Sequence, residues 1–242
     1  MAKNKEVKIF ANSQKLAEAF ASELFHMVKS NRQRFDIALS GGSTPKLLFD
    51  ILAKSYSSTM PWDRIHFWWG DERCVEPTSD ESNYGMTKKH LLSKIEMSKG
   101  QVHRIKGELP PDEAADDYIR EIQSQLNERA GWPVFDLIIL GMGDDGHTAS
   151  IFPHELNLLH STRICAVASH PETGQKRVSL TGNVINNANR VYFLISGKSK
   201  AKRISEIMSS KTIADKLPTS YIEPKQGKII FFLDEDAASE IV

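Results

Sequence analysis

The chain has 242 residues, 40% of them hydrophobic, which fits one large α/β domain or two small ones. Lysine plus arginine and aspartate plus glutamate balance at 31 each, so net charge points to neither a nucleic-acid partner nor a membrane surface, and an anion site has to be a local cluster. Cys74 and Cys165 are too few for a disulfide framework and suit a reducing cytoplasm. The start, MAKNKEVKIFANSQ, shows no signal peptide, and no apolar run reaches transmembrane length.

In chain order, a strand is expected over 7–10. A helix follows over 13–30, with Leu16, Phe20, Leu24 and Met27 at helical spacing and Ser13 as its N-cap. The next strand, 35–40, runs into SGGSTPK and a helix over 44–56. Gly41 and Gly42 let the backbone bend closely there, Ser43 or Thr44 can cap the helix, and Pro45 suits its first turn. A helix N-terminus with free N–H groups and hydroxyls is an anion site, or else simply a well-capped helix. The segment matches neither GxGxxG nor a Walker A loop, so no dinucleotide or nucleoside triphosphate is implied.

Strand 64–69 ends in WWGDER. Arg73 there can hold a phosphate or carboxylate through two parallel hydrogen bonds, or it forms a surface pair with an aspartate. Trp68 and Trp69 read as core. Helices are expected over 82–95 and 111–130. Strand 135–140 ends in GMGDDGHTASIFP, where Gly141 and Gly143 permit unusual backbone angles. His147 beside Asp144 and Asp145 suits acid–base work near neutral pH, with Asp145 able to orient the imidazole. The histidines lack a metal-ligand spacing, so no metal is expected. After the poorly patterned stretch 154–176, with a strand at 164–169, strand 177–180 carries Arg177. Strand 190–196 runs into GKSKAKR and a helix over 198–210, where Lys200 is a phosphate ligand or a solvated charge. Lysines at a helix start are poorly placed against the dipole, and a bound phosphate relieves that. The last strand is 228–233.

Strands that are apolar throughout and alternate with helices predict a doubly wound, mainly parallel α/β sheet with helices on both faces, Rossmann-like, in one domain spanning 1–242. In such sheets ligands bind beyond the carboxyl ends of the strands. Four Gly-bearing polar segments follow strands here: LSGGSTP, WWGDER, LGMGDDGHT and LISGKSK.

The blocks SGGSTPKLLFDIL, WGDERCVEPTSDESNYGM, FDLIILGMGDDGHTASIFP and KRVSLTGNVINNANRVYFLISGKSKA run in order across nearly the whole chain. They resemble the 6-phosphogluconolactonase family, within the wider group that includes glucosamine-6-phosphate deaminase. The resemblance implies hydrolysis of 6-phospho-D-glucono-1,5-lactone to 6-phosphogluconate in the oxidative pentose phosphate pathway, without a cofactor. It carries the catalytic histidine onto His147 and the phosphate site onto Gly42, Ser43, Thr44, Arg177 and Lys200. Arg73 becomes a substrate-binding arginine, and Asp71 and Asp145 fall on acidic positions shared with the deaminases. An amino sugar phosphate isomerase-deaminase is the near alternative. In the deaminases a glutamate stands five residues after the histidine, where this chain has Phe152, and Asp-Glu-Tyr tends to replace Asp71-Glu72-Arg73. A non-catalytic sugar-phosphate sensor is the other alternative. Such regulators carry a helix-turn-helix ahead of the sensor, and a sheet that begins by residue 7 leaves no room for one.

Overall fold

The computed structural model describes residues 5–31, 33–209 and 216–241. In chain order the elements are β1 (Lys5–Phe10), α1 (Ser13–Ser30), β2 (Phe35–Leu39), α2 (Ser43–Ser55), β3 (Ile65–Trp69), β4 (Asp71–Arg73), α3 (Asn83–His90), α4 (Pro111–Gln125), β5 (Glu128–Arg129), β6 (Trp132–Pro133), β7 (Leu137–Leu140), β8 (Cys165–Ser169), β9 (Lys176–Leu180), α5 (Gly182–Ile185), β10 (Arg190–Ile195), α6 (Ala201–Ser209), β11 (Lys228–Asp234) and α7 (Glu235–Ala238).

Six strands form one sheet in the order β1-β11-β10-β7-β2-β3, and every pairing in it is parallel. Side chains alternate between faces along a strand, yet every residue of β2 and β7 is buried. Both faces of the sheet centre are therefore covered, as the continuous apolar runs predict. Trp68 and Trp69 lie fully in the core.

The expected strands at 164–169 and 177–180 do exist, but not in this sheet. β8 and β9 join β4 in a separate antiparallel sheet, ordered β4-β9-β8. Gly70 is the joint between the two. Its N–H donates to Leu39 O of the parallel sheet, and its carbonyl accepts from Leu180 N of the antiparallel one.

Several helix boundaries move. Asn12, not Ser13, caps α1, its side chain accepting from Lys15 N. The helix expected over 82–95 stops at His90 and resumes as a 3-10 turn, Leu92–Lys94. The one expected over 111–130 ends at Gln125, and the chain continues into the β5–β6 hairpin, whose turn is Ala130 and Gly131, both at positive φ. The last expected helix opens as a 3-10 turn, Lys198–Lys200, before α6, and Ser210 lies outside the described residues. Among the described residues no helix is long and apolar enough to cross a membrane.

Candidate active site

The chain leaves β2 toward β3 on one side, and later runs from β7 through β10 to β11 on the other. At that reversal the crossovers on either side part, and a crevice opens beyond the carboxyl ends of the strands. The segments after β10, β7, β2 and β3 meet there and line a cleft of roughly 230 Å³. Gly42, Ser43, Thr44, Asp71, Arg73, His147, Arg177 and Lys200 all line it. Asp145 is reached through His147.

The loop after β7 folds back on itself through a Gly143 N–H bond to His147 O. Asp145 Oδ1 accepts both the backbone N–H of His147, at 3.0 Å, and its Nδ1, at 2.7 Å. Burial raises the Asp145 carboxyl, but the two His147 hydrogen bonds outweigh it and hold the group at about 2. Asp145 is thus ionised at neutral pH, which keeps a proton on Nδ1 and leaves Nε2 as the free nitrogen. Of the glycines in this loop it is Gly146, not Gly141 or Gly143, that stands at positive φ, at 85°. Gly143 is required for space instead, since a Cβ there would stand 2.2 Å from His147 Nδ1.

Asp144 faces elsewhere. It accepts from Lys200 Nζ at 2.6 Å and from Ser199 Oγ at 3.0 Å, while its carbonyl accepts from Arg203 Nε. The Lys200 ammonium therefore already has a carboxylate partner, which offsets the poor placement of cations at that helix start. The two adjacent aspartates, indistinguishable in sequence, serve different neighbours.

Arg73 on β4 and Arg177 on β9 are directly opposite in the antiparallel register. Like charges in that relation repel. Both Nε atoms are buried without a hydrogen-bond partner among the described residues. Burial first, and then the charge of Arg73, lower the Arg177 guanidinium from its ordinary value. Arg73 also donates from Nη1 to Glu81 O, and two facing arginines that each keep an unused Nε donor have the chemistry of an anion clamp.

Neither Ser43 nor Thr44 caps α2. Gly42 holds that position at φ 106° without a side-chain bond, leaving the first N–H groups of the helix open toward the cleft. Thr44 Oγ1 instead pairs with Ser196 Oγ at 2.8 Å, which ties the loop after β2 to the loop after β10.

Sequence reasoning missed the residues that fix Asp71. Its carboxylate accepts from Ser150 Oγ at 2.6 Å and from Asn83 Nδ2 at 3.3 Å. Glu72 accepts from Asn83 N, Tyr84 N and Ser82 Oγ, anchoring the start of α3; burial raises its carboxyl despite those bonds. Only the SNYGM block signalled this, and a serine ahead of a helix reads first as a cap. Phe152, five residues beyond the histidine, places its ring 4.7 Å from the His147 imidazole. An apolar wall stands where a carboxylate would couple to that ring.

The model for glucosamine-6-phosphate isomerases and 6-phosphogluconolactonase matches residues 11–231. This chain belongs to that family. Within it, the 6-phosphogluconolactonase of Treponema pallidum is 43% identical over 201 residues, covering 83% of this chain and 83% of that protein. That of Aggregatibacter actinomycetemcomitans is 41% identical over 230 residues, covering 95% of this chain and 97% of that protein. The solved structure of the 6-phosphogluconolactonase from Trypanosoma brucei superposes with a TM-score of 0.88 at 27% identity, covering 98% of this chain and 99% of that chain. The family frame thus runs through both sheets and all four cleft segments.

Proposed function

We propose that this protein hydrolyses 6-phospho-D-glucono-1,5-lactone to 6-phospho-D-gluconate, the second step of the oxidative pentose phosphate pathway, as one domain in the cytoplasm. The observation that carries the reading is a histidine with Nδ1 fixed on an ionised aspartate, set in the same cleft as two facing arginines whose Nε donors are unused. His147 Nε2 takes a proton from water as its oxygen attacks C1. Arg73 stabilises the oxyanion of the tetrahedral intermediate. The C1–O5 bond then breaks, His147 returns the proton to O5, and the new carboxylic acid ionises. Asp145 holds the imidazole and balances its transient charge, and Asp71 accepts from a sugar hydroxyl. Gly42, Ser43, Thr44, Arg177 and Lys200 bind the phosphate and so fix the reach of C1 to His147.

The 6-phosphogluconolactonase names of the relatives support this reading over the deaminase alternative, as does Phe152 beside the imidazole. The test is proton release on freshly generated 6-phosphogluconolactone, with spontaneous opening subtracted. The phosphorylated lactone should be strongly preferred over glucono-1,5-lactone; equal kcat/KM on both overturns the phosphate site.

A further inference from the structure

We propose that Phe152 is a positioning residue that sets His147 and Arg177 against one shared wall, an inference that rests on the lactonase reading of this cleft. The Phe152 side chain is fully buried. Its ring centroid lies 4.7 Å from that of His147, with the planes 54° apart. The Arg177 guanidinium stands over the same ring, 5.6 Å from its centroid. His154 stacks on it at 5.8 Å and His170 meets it edge-on at 5.5 Å.

The two functional groups come from different parts of the fold. His147 sits in the loop after β7 of the parallel sheet, and Arg177 sits on β9 of the antiparallel one. The hydrogen bond that orients the imidazole comes from Asp145, two residues away, so it fixes the ring only relative to its own loop. Phe152 supplies a packed surface that limits rotation about that bond.

Arg177 has the complementary difficulty. Its Nε has no partner and a second cation faces it across the ladder. An aromatic face attracts a guanidinium where an aliphatic side chain does not. The ring therefore steadies Arg177 against the repulsion of Arg73, and it holds base and anion ligand in one fixed relation. The distance from phosphate to reacting carbonyl is set by the substrate, so the protein must match it.

The experiment compares Phe152→Leu with Phe152→Tyr. Phe152→Leu should lower kcat roughly 10- to 100-fold through misplacement of the base. It should also weaken 6-phosphogluconate binding about 3- to 30-fold in calorimetry, the range of a lost cation–π contact. Phe152→Tyr, which keeps the ring, should stay within roughly threefold of the parent in both. In an Arg177→Gln background the binding loss from Phe152→Leu should vanish, because the cation that used the ring is gone. A merely structural residue gives another pattern: a lower Tm with kcat and binding at parental values. That result, or an undiminished binding loss in the Arg177→Gln background, overturns the proposal. Should the leucine variant not fold, Phe152→Met carries the same comparison. The lactonase reading fails separately. A parent that does not open the lactone refutes that reading, while calorimetry with inorganic phosphate still reports the coupling of Phe152 to Arg177. A parent that binds neither phosphate nor 6-phosphogluconate refutes both.

Discussion

Replacing Asp145 by asparagine isolates what its charge does for His147. The carboxyl is held at about 2 against an ordinary 3.8, and each pH unit corresponds to ~1.4 kcal/mol. The resulting ~2.5 kcal/mol is an upper bound, because 39% of the side chain is exposed, and solvent screening brings it down to about 1 kcal/mol. The part of that energy that acts through the ring, rather than through the backbone N–H of His147, favours the imidazolium that forms as water is deprotonated, so losing it should slow kcat by up to about 5-fold. A second loss can add to this. Asparagine can offer an N–H toward Nδ1, which reverses the tautomer and removes the free Nε2; kcat then falls by as much as ~10⁴-fold. Initial rates of proton release from 6-phosphogluconolactone across pH 5–8, corrected for spontaneous opening, measure both effects. An Asp145→Asn enzyme with parental kcat refutes the charge argument.

The other expectations follow from neighbouring groups. His147→Gln should bind 6-phosphogluconate normally while kcat drops ~10²- to 10⁴-fold; near-parental turnover would make the histidine structural. Asp144→Asn frees Lys200 from its 2.6 Å partner, so calorimetry should show tighter 6-phosphogluconate binding, whereas Lys200→Ala should weaken it by about 1.5–3 kcal/mol; unchanged affinity in both removes Lys200 from the phosphate site. Far from the cleft, His66 Nδ1 and His103 Nε2 lie 2.8 Å apart, and His103 Nδ1 lies 2.7 Å from Glu121. Burial first lowers both imidazoles below the ordinary histidine value; the charge of Arg34 adds to this at His66, and the Glu121 hydrogen bond opposes it at His103. Between the folded and unfolded values the unfolded chain binds more protons, so stability rises with pH there. Tm should fall between about pH 7.5 and 5.5, and His66→Asn/His103→Asn should flatten that slope; a level Tm in the parent refutes the linkage.

The parallel sheet was legible because its central strands are buried on both faces and so read as unbroken apolar runs. Runs such as ICAVAS carry no mark of which sheet they join. What moved β8 and β9 into a second sheet is the turn at Gly70, a hydrogen-bonding fact that periodicity does not express. The cleft residues were visible because glycines and charges directly follow strands. Their individual tasks were not. Asp144 and Asp145 differ only in which way each carboxylate turns, and that depends on Lys200, some fifty residues on. Asn83 and Ser150 were hidden for another reason. Each looks like ordinary cap or loop polarity until folding brings both to Asp71 from opposite sides.

The register of β4 against β9 has a consequence for the second sheet. Two arginines face each other across a three-residue strand, and although Asp71, Glu72 and Glu81 soften the repulsion at Arg177, the Nε of each arginine has no hydrogen-bond partner among the described residues. In the proposed reaction the substrate bridges them, its phosphate on Arg177 and its reacting carbonyl on Arg73, and acts as the missing rivet. Occupancy of the cleft then tightens the ladder itself, and amide exchange at the paired Glu72 and Val178 becomes a reporter of substrate, while the amides of β1 at the far edge of the other sheet stay indifferent to it.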